Sequence, residues 1–158
     1  MLCDDIFGSL RKLLYMEKSG LPHRILFQDL EVWKQAVVLA GDIQRATANF
    51  RGISAALRDQ MNASVESVSS NIAEAEGRAT NKDSLRIYYI ARGSLWELRS
   101  QLAVCETRSL ISQADLNPII IQTDIVGRLV SGVIRLRRRR EEASNSKRNT
   151  GRGTSPGL

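Results

Sequence analysis

The basic side chains Arg135, Arg137, Arg138, Arg139, Arg140, Lys147, Arg148 and Arg152 stand close together near the end of the chain. Only Glu141 and Glu142 oppose them, so residues 135–158 carry the whole formal excess of +6 of the 158-residue chain. Residues 1–134 are formally neutral. Side chains of this kind contact phosphates, and each neutralised phosphate releases counterions, so such binding weakens with salt. The same arginines also complement the negative end of a helix macrodipole. A Ser-, Asn- and Gly-rich end reads as a solvated basic tail. No aromatic residue interleaves with the run, so stacking on single-stranded bases is not expected there.

Glu74, Glu76 and Glu97 are the carboxylates whose positions invite acid/base or di-metal chemistry. Metal sites in helical bundles use Glu-x-x-His pairs, whereas the one histidine, His23, sits beside Pro22. Zinc sites usually need three or four His, Cys or carboxylate ligands, and no such cluster is present. Two cysteines, Cys3 and Cys105, make neither a disulfide framework nor a metal motif. Cys105 falls on an apolar helix face and reads as a small core residue. There is no Gly-rich phosphate loop and no nucleophile elbow, and nothing assembles a nucleophile, a base and an orienting partner. A non-enzymatic protein without cofactor or metal is expected. Glu74 and Glu97 are then partners for Arg78, Arg92 or Arg99. Such pairs add little stability when exposed but help to fix helix register or subunit pairing.

Gly93-Ser94 lies inside a strongly helical pattern, where glycine costs roughly 1 kcal/mol relative to alanine. Close approach of another helix, from the same bundle or a second chain, would offset that cost. Tyr89 and Trp96 flank the apolar stripe there, and both residue types are enriched in interfaces. Tyr89, Gly93, Ser94 and Trp96 therefore form the expected oligomer interface.

These side chains need helices to hold them. Apolar residues recur at steps of three and four over four stretches, and no segment alternates at period two. The first helix spans about 29–47, with Asp29 as N-cap and Trp33, Ala36 or Val37, Ala40, Ile43 and Thr47 on one face. The second spans about 54–76, with Leu57, Met61, Ser64 or Val65, Val68 and Ile72, and Gly77 closing it. The third follows Thr80-Asn81-Lys82-Asp83, which resembles a capping box. Its stripe is Tyr88, Ala91, Leu95, Leu98, Leu102 and Cys105. The fourth lies between about 113 and 140, with Val126, Leu129 or Val130, Val133 and Leu136 inward. Ser112 or Asn117 caps it; with Asn117 as cap, Pro118 is its first residue.

Short turns between helices of this length give an all-α fold, an up-down-up-down antiparallel four-helix bundle over residues 25–140. Residues 141–158 read as a flexible basic tail. Residues 1–24 form an N-terminal extension in which Leu2, Ile6, Leu10 and Leu13 or Leu14 repeat at the spacing of a short helix. No apolar run reaches the roughly 18–20 residues that span a bilayer, and no secretory signal pattern is present. A cytoplasmic location without membrane contact is expected.

Three motifs resemble a known family. Phe27-Gln28-Asp29-Leu30-Glu31-Val32-Trp33 is similar to the F-x-D-L-x-V-W opening of the four-helix bundle proteins encoded in intervening sequences of bacterial 23S ribosomal RNA genes. Ser70-Asn71-Ile72-Ala73-Glu74, followed by Gly77-Arg78, resembles that family's S-I-x-x-N-I-A-E-G-x-G-R signature, with Ser67-Val68 where Ser-Ile is usual and Ala75 where glycine is usual. Ile90-Ala91-Arg92-Gly93-Ser94-Leu95-Trp96-Glu97-Leu98 resembles its I-A-x-G-S-L-x-E-L. The resemblance covers about residues 27–136. It implies a homo-oligomer, a pentameric ring or barrel, and a link to RNA. A related branch, the accessory variability determinant of diversity-generating retroelements, binds nucleic acid and a reverse transcriptase as a pentamer. Together with the basic run, which would contact phosphates with little sequence specificity, the resemblance points to an accessory protein that binds RNA or DNA. The alternative is a protein–protein adaptor with a reverse transcriptase among its partners.

Overall fold

A computed structural model describes residues 26–49 and 52–150, apart from the side chains of Asn49 and residues 148–150. A short 3-10 turn, Phe27–Asp29, leads into four α-helices: α1 (Glu31–Asn49), α2 (Ala55–Glu76), α3 (Asn81–Thr107) and α4 (Gln113–Thr150). Each helix packs on its neighbours in sequence, and α1 also packs on α4, closing a four-helix bundle.

Local chemistry sets most helix starts. The Ser54 hydroxyl accepts from the Leu57 N–H at 3.3 Å, and the Thr80 hydroxyl accepts from the Asp83 N–H at 3.1 Å. The Ser112 hydroxyl accepts from the Asp115 N–H at 3.3 Å. Each satisfies a donor that the first helical turn leaves unpaired. Asp29 does not cap α1. It belongs to the 3-10 turn, where its carboxylate accepts from the Leu26 N–H at 3.2 Å, and α1 begins two residues later. Because Ser112 starts α4, Pro118 is the sixth residue of that helix and leaves the Ala114 carbonyl without its usual i+4 donor.

The core is one cluster. On α1 it takes Ala36, Ile43 and Thr47 as expected, with Val32 and Leu39 in place of their neighbours Trp33 and Ala40, which lie on an adjacent apolar stripe. Val37 stays exposed, and Trp33 packs half-buried with its ring 5.2 Å from Phe27, edge to face. Both stripes of α1 are apolar, so its own sequence does not choose between them. The α3 stripe, from Tyr88 to Cys105, is buried throughout. On α4 Val126, Val130 and Ile134 are buried, and Leu136 is on the exposed side.

Helices α2 and α3 run antiparallel, as Glu76 meets Tyr88, Ser67 meets Ser94, Ser64 meets Gln101 and Met61 meets Cys105. Helices α3 and α4 do the same, with Asn81 bonded to Arg137 and Arg99 paired with Asp124. Close approach comes at Gly127, where an added Cβ would lie 3.4 Å from a Leu95 methyl. Gly93 faces open space instead.

The α3–α4 turn carries a left-handed residue that is not glycine, Ser109 at φ 50°. The Leu110 N–H bonds the Cys105 carbonyl at 2.9 Å, and the Ser109 N–H bonds the Glu106 carbonyl at 2.9 Å. This is the Schellman arrangement, in which glycine is the favoured residue at that position. Ser109→Gly is expected to stabilise the fold by about 1 kcal/mol, because it relieves the Cβ penalty of the left-handed region. Urea unfolding measures it, and a loss of stability would show that the turn has another source of strain.

Candidate nucleic-acid interface

The helix that bears the basic run does not end at Arg140. It continues to Thr150, ten residues into the stretch expected to be a flexible tail. No glycine or proline occurs between Gly132 and Gly151, and Glu141 and Glu142 stand four residues after Arg137 and Arg138. An acid–base pair at that spacing supports a helix. The basic side chains are therefore displayed on a helix at helical spacing.

Arg135, Arg138, Arg139, Arg140 and Lys147 are exposed. The side chain of Arg148 is not among those described, and Arg152 lies outside the described residues, as do Cys3 and His23. Arg137, expected among the phosphate contacts, is a structural residue instead. Its side chain is 19% exposed, its guanidinium pairs with the Glu76 carboxylate, and it lies 5.2 Å over the Tyr88 ring. The Tyr88 hydroxyl donates to Glu76 Oε1 at 2.6 Å. Asn81 Nδ2 donates to the Arg137 carbonyl at 2.6 Å. Burial pushes the Tyr88 hydroxyl well above an ordinary phenol, and the adjacent Glu76 charge and hydrogen bond push the same way. Arg137 opposes them. This cluster ties the ends of α2 and α3 to α4, and it fixes where the exposed arginines stand.

Arg135, Arg138 and Arg139 line an open depression together with Arg92, Ser131, Ile134 and Glu142. Arg92 comes from α3, and its guanidinium lies 4.8 Å over the Tyr89 ring. It makes no ion pair among the described residues, nor does Glu97. Of the expected salt bridges, Glu74–Arg78 forms, and Arg99 pairs with Asp124 at 3.0 Å. Both are exposed pairs worth a few tenths of a kcal/mol at most. Arg92 has Glu97 close by in the chain, yet α4 packs beside it and sets it among arginines instead.

The four residues expected at an oligomer interface separate. Trp96 is 69% exposed, Tyr89 and Gly93 are exposed on the same side of α3, and Ile90, at 45%, extends that surface. Ser94 turns inward: its hydroxyl lies 2.9 Å from that of Ser67 and bonds the Ile90 carbonyl at 3.3 Å. It serves the α2–α3 contact. Cys105 is buried with its sulfur 3.9 Å from that of Met61, and burial pushes its thiol up. Among the described residues no three His, Cys, Asp or Glu side chains stand together as metal ligands. No described helix is long and apolar enough to cross a membrane.

No curated protein matches the chain. Among solved structures it resembles a protein of unknown function from the S23 ribosomal protein family of Bacteroides thetaiotaomicron, at 20% identity and a TM-score of 0.60. That match covers 65% of this chain and 97% of the other, and at this identity it speaks for the fold. The model of one family, the 23S rRNA-intervening sequence protein, matches residues 28–132, about two-thirds of the chain and the stretch that holds the three motifs from Gln28 onward. The chain belongs to the 23S rRNA-intervening sequence protein family.

Proposed function

We propose that this protein is a non-enzymatic, homo-oligomeric accessory protein that binds the phosphate backbone of nucleic acid with little sequence specificity. The observation that carries the reading is the set of exposed arginines Arg135, Arg138, Arg139 and Arg140 on α4, none of them in an ion pair among the described residues. The formally neutral remainder of the chain makes this helix the main source of positive field. Assembly multiplies the contact, since linked weak sites gain strongly in avidity; a pentamer is the state that the family resemblance suggests. Fluorescence-anisotropy titration against structured RNA and duplex DNA at two salt concentrations tests the reading. Binding that falls steeply with salt supports it; absence of binding at low salt defeats it.

The exposed face of α3 is the proposed contact between subunits, through Tyr89, Gly93 and Trp96, with Ile90 beside them. Contiguous exposed apolar surface of this kind marks interaction sites. Gly93→Ala separates this role from a local one. Among the described residues nothing outside the helix's own backbone lies within 4 Å of the added Cβ, so the substitution stabilises a lone helix by roughly 0.5–1 kcal/mol. In an assembly with a helix packed there, it shifts sedimentation toward the monomer. A higher melting temperature with unchanged sedimentation would remove α3 from the interface.

The second reading is a protein–protein adaptor, with a reverse transcriptase as one partner. The exposure of Trp96 favours it, because a tryptophan so open to water is a typical anchor for a partner. Under this reading Trp96→Ala harms partner capture more than loss of the arginines does.

A further inference from the structure

We propose that Arg92 joins Arg135, Arg138 and Arg139 in a discrete seat for a backbone phosphate of nucleic acid, built across α3 and α4. The inference rests on the nucleic-acid reading above and names the ligand group and the residue that the basic run does not contain. Arg92 stands 43 positions before Arg135, and only the antiparallel register brings both to one depression. The Arg99–Asp124 pair and the contact of Leu95 with Gly127 set that register one to two turns away.

Three features distinguish this depression from a merely solvated basic face. Arg92 is held, not free: its guanidinium carbon lies 4.8 Å from the centroid of the Tyr89 ring, a cation–π contact that restrains the side chain without consuming its charge. None of the four arginines makes an ion pair among the described residues. Arg135, Arg138 and Arg139 are also spaced i, i+3 and i+4, where like charges repel by a few tenths of a kcal/mol each. A bound anion relieves that repulsion. Ser131, one turn before Arg135, adds a neutral hydroxyl donor.

Glu142 also lines the depression and lowers its net charge to +3. That single carboxylate leaves enough positive charge for a phosphodiester, whose oxygens accept the paired N–H groups of arginine. Among the described residues no aromatic side chain lines the depression, so they offer no stacking platform for a base there. The seat therefore holds the backbone and not the sequence.

The test is anisotropy of labelled RNA and DNA duplexes, and of a labelled polyglutamate, with the full chain at low and moderate salt. Arg92→Gln is compared with Arg86→Gln, an exposed α3 arginine outside the depression. The expected result is a roughly fivefold weakening on duplex for Arg92→Gln and a salt slope lower by about one, with an unchanged melting temperature. Arg86→Gln stays within about twofold of the unaltered protein. RNA and DNA respond alike if the backbone alone is read; loss confined to RNA places a sugar hydroxyl contact beside the phosphate and keeps the seat. If Arg92→Gln matches Arg86→Gln while loss of the α4 arginines abolishes binding, the seat is wrong and the nucleic-acid reading stands. If the unaltered protein binds no duplex at low salt, both fall. Polyglutamate bound as tightly as duplex, and through Arg92, overturns the assignment to phosphate.

Discussion

Changing Arg135, Arg138, Arg139 and Arg140 together to glutamine lowers duplex affinity on the order of 100-fold at low salt, while melting stays within about 2 °C. The size follows from counterion release. Losing four phosphate contacts removes about 3.6 from the salt slope of log K, so the deficit of the variant grows by about two orders of magnitude when salt is lowered fourfold from the level at which the contacts contribute little. The small effect on melting follows from exposure, because all four side chains face water and none is in an ion pair among the described residues. Glutamine also keeps a good helix propensity at these sites. Anisotropy and thermal melting on the same preparation measure both. Unchanged affinity in a folded variant would sink the role of α4 and move the bet to the adaptor reading. Deletion of residues 137–158 is a poorer test, since it also removes Arg137 and with it the tie between α4 and the other helices.

The second large effect belongs to that residue. Arg137→Ala is expected to cost about 2–3 kcal/mol and to lower the melting temperature by about 10 °C. Its partner Glu76 has a side chain only 25% exposed, and without the guanidinium that carboxylate keeps just the Tyr88 hydroxyl. Removing one member of a half-buried charge pair costs more than the pair itself contributes, because the other charge stays poorly solvated. The Tyr88 ring loses its cover at the same time. Arg137→Lys recovers only part of the loss, since a lysine ammonium does not present a planar fork to both the carboxylate and the ring. Melting near that of the unaltered protein, together with weakened nucleic-acid binding, would return Arg137 to the phosphate contacts.

The same cluster predicts an alkaline limit. Burial first, then the Glu76 charge and hydrogen bond, favour the neutral Tyr88 hydroxyl in the folded state, so its pKa there lies above the ordinary 10.0. Stability from that preference is fully present below pH 10.0 and is lost as pH rises toward the folded value. Tyr88→Phe should cost about 1 kcal/mol at neutral pH and should flatten the decline above about pH 10.

Helix positions were legible in the chain because their causes are local. Ser54, Thr80 and Ser112 cap within three residues of themselves. The α3 stripe from Tyr88 to Cys105 is buried on every expected residue, since one strongly apolar face leaves a helix no choice of orientation. On α1 two adjacent apolar stripes compete, and α2 and α4 decided between them by what they pack against. Ser and Asn after Arg140 favour a loop, yet α4 runs on to Thr150 because no glycine or proline interrupts it before Gly151.

The arginines divide along the same line. Their number, their place after residue 134 and their spacing are written in the chain, and so is their suitability for phosphate. Which of them faces water is not. Arg137 sits in an unbroken run of four arginines, yet Glu76 and Tyr88, 61 and 49 positions earlier, draw it into the bundle. Arg92 stands beside apparent carboxylate partners, yet α4 places it among other arginines. A charge is structural or available according to the groups within a few ångströms of it. Helical periodicity gives the direction in which a side chain leaves its own helix, and only the packing of the other helices supplies what it meets there.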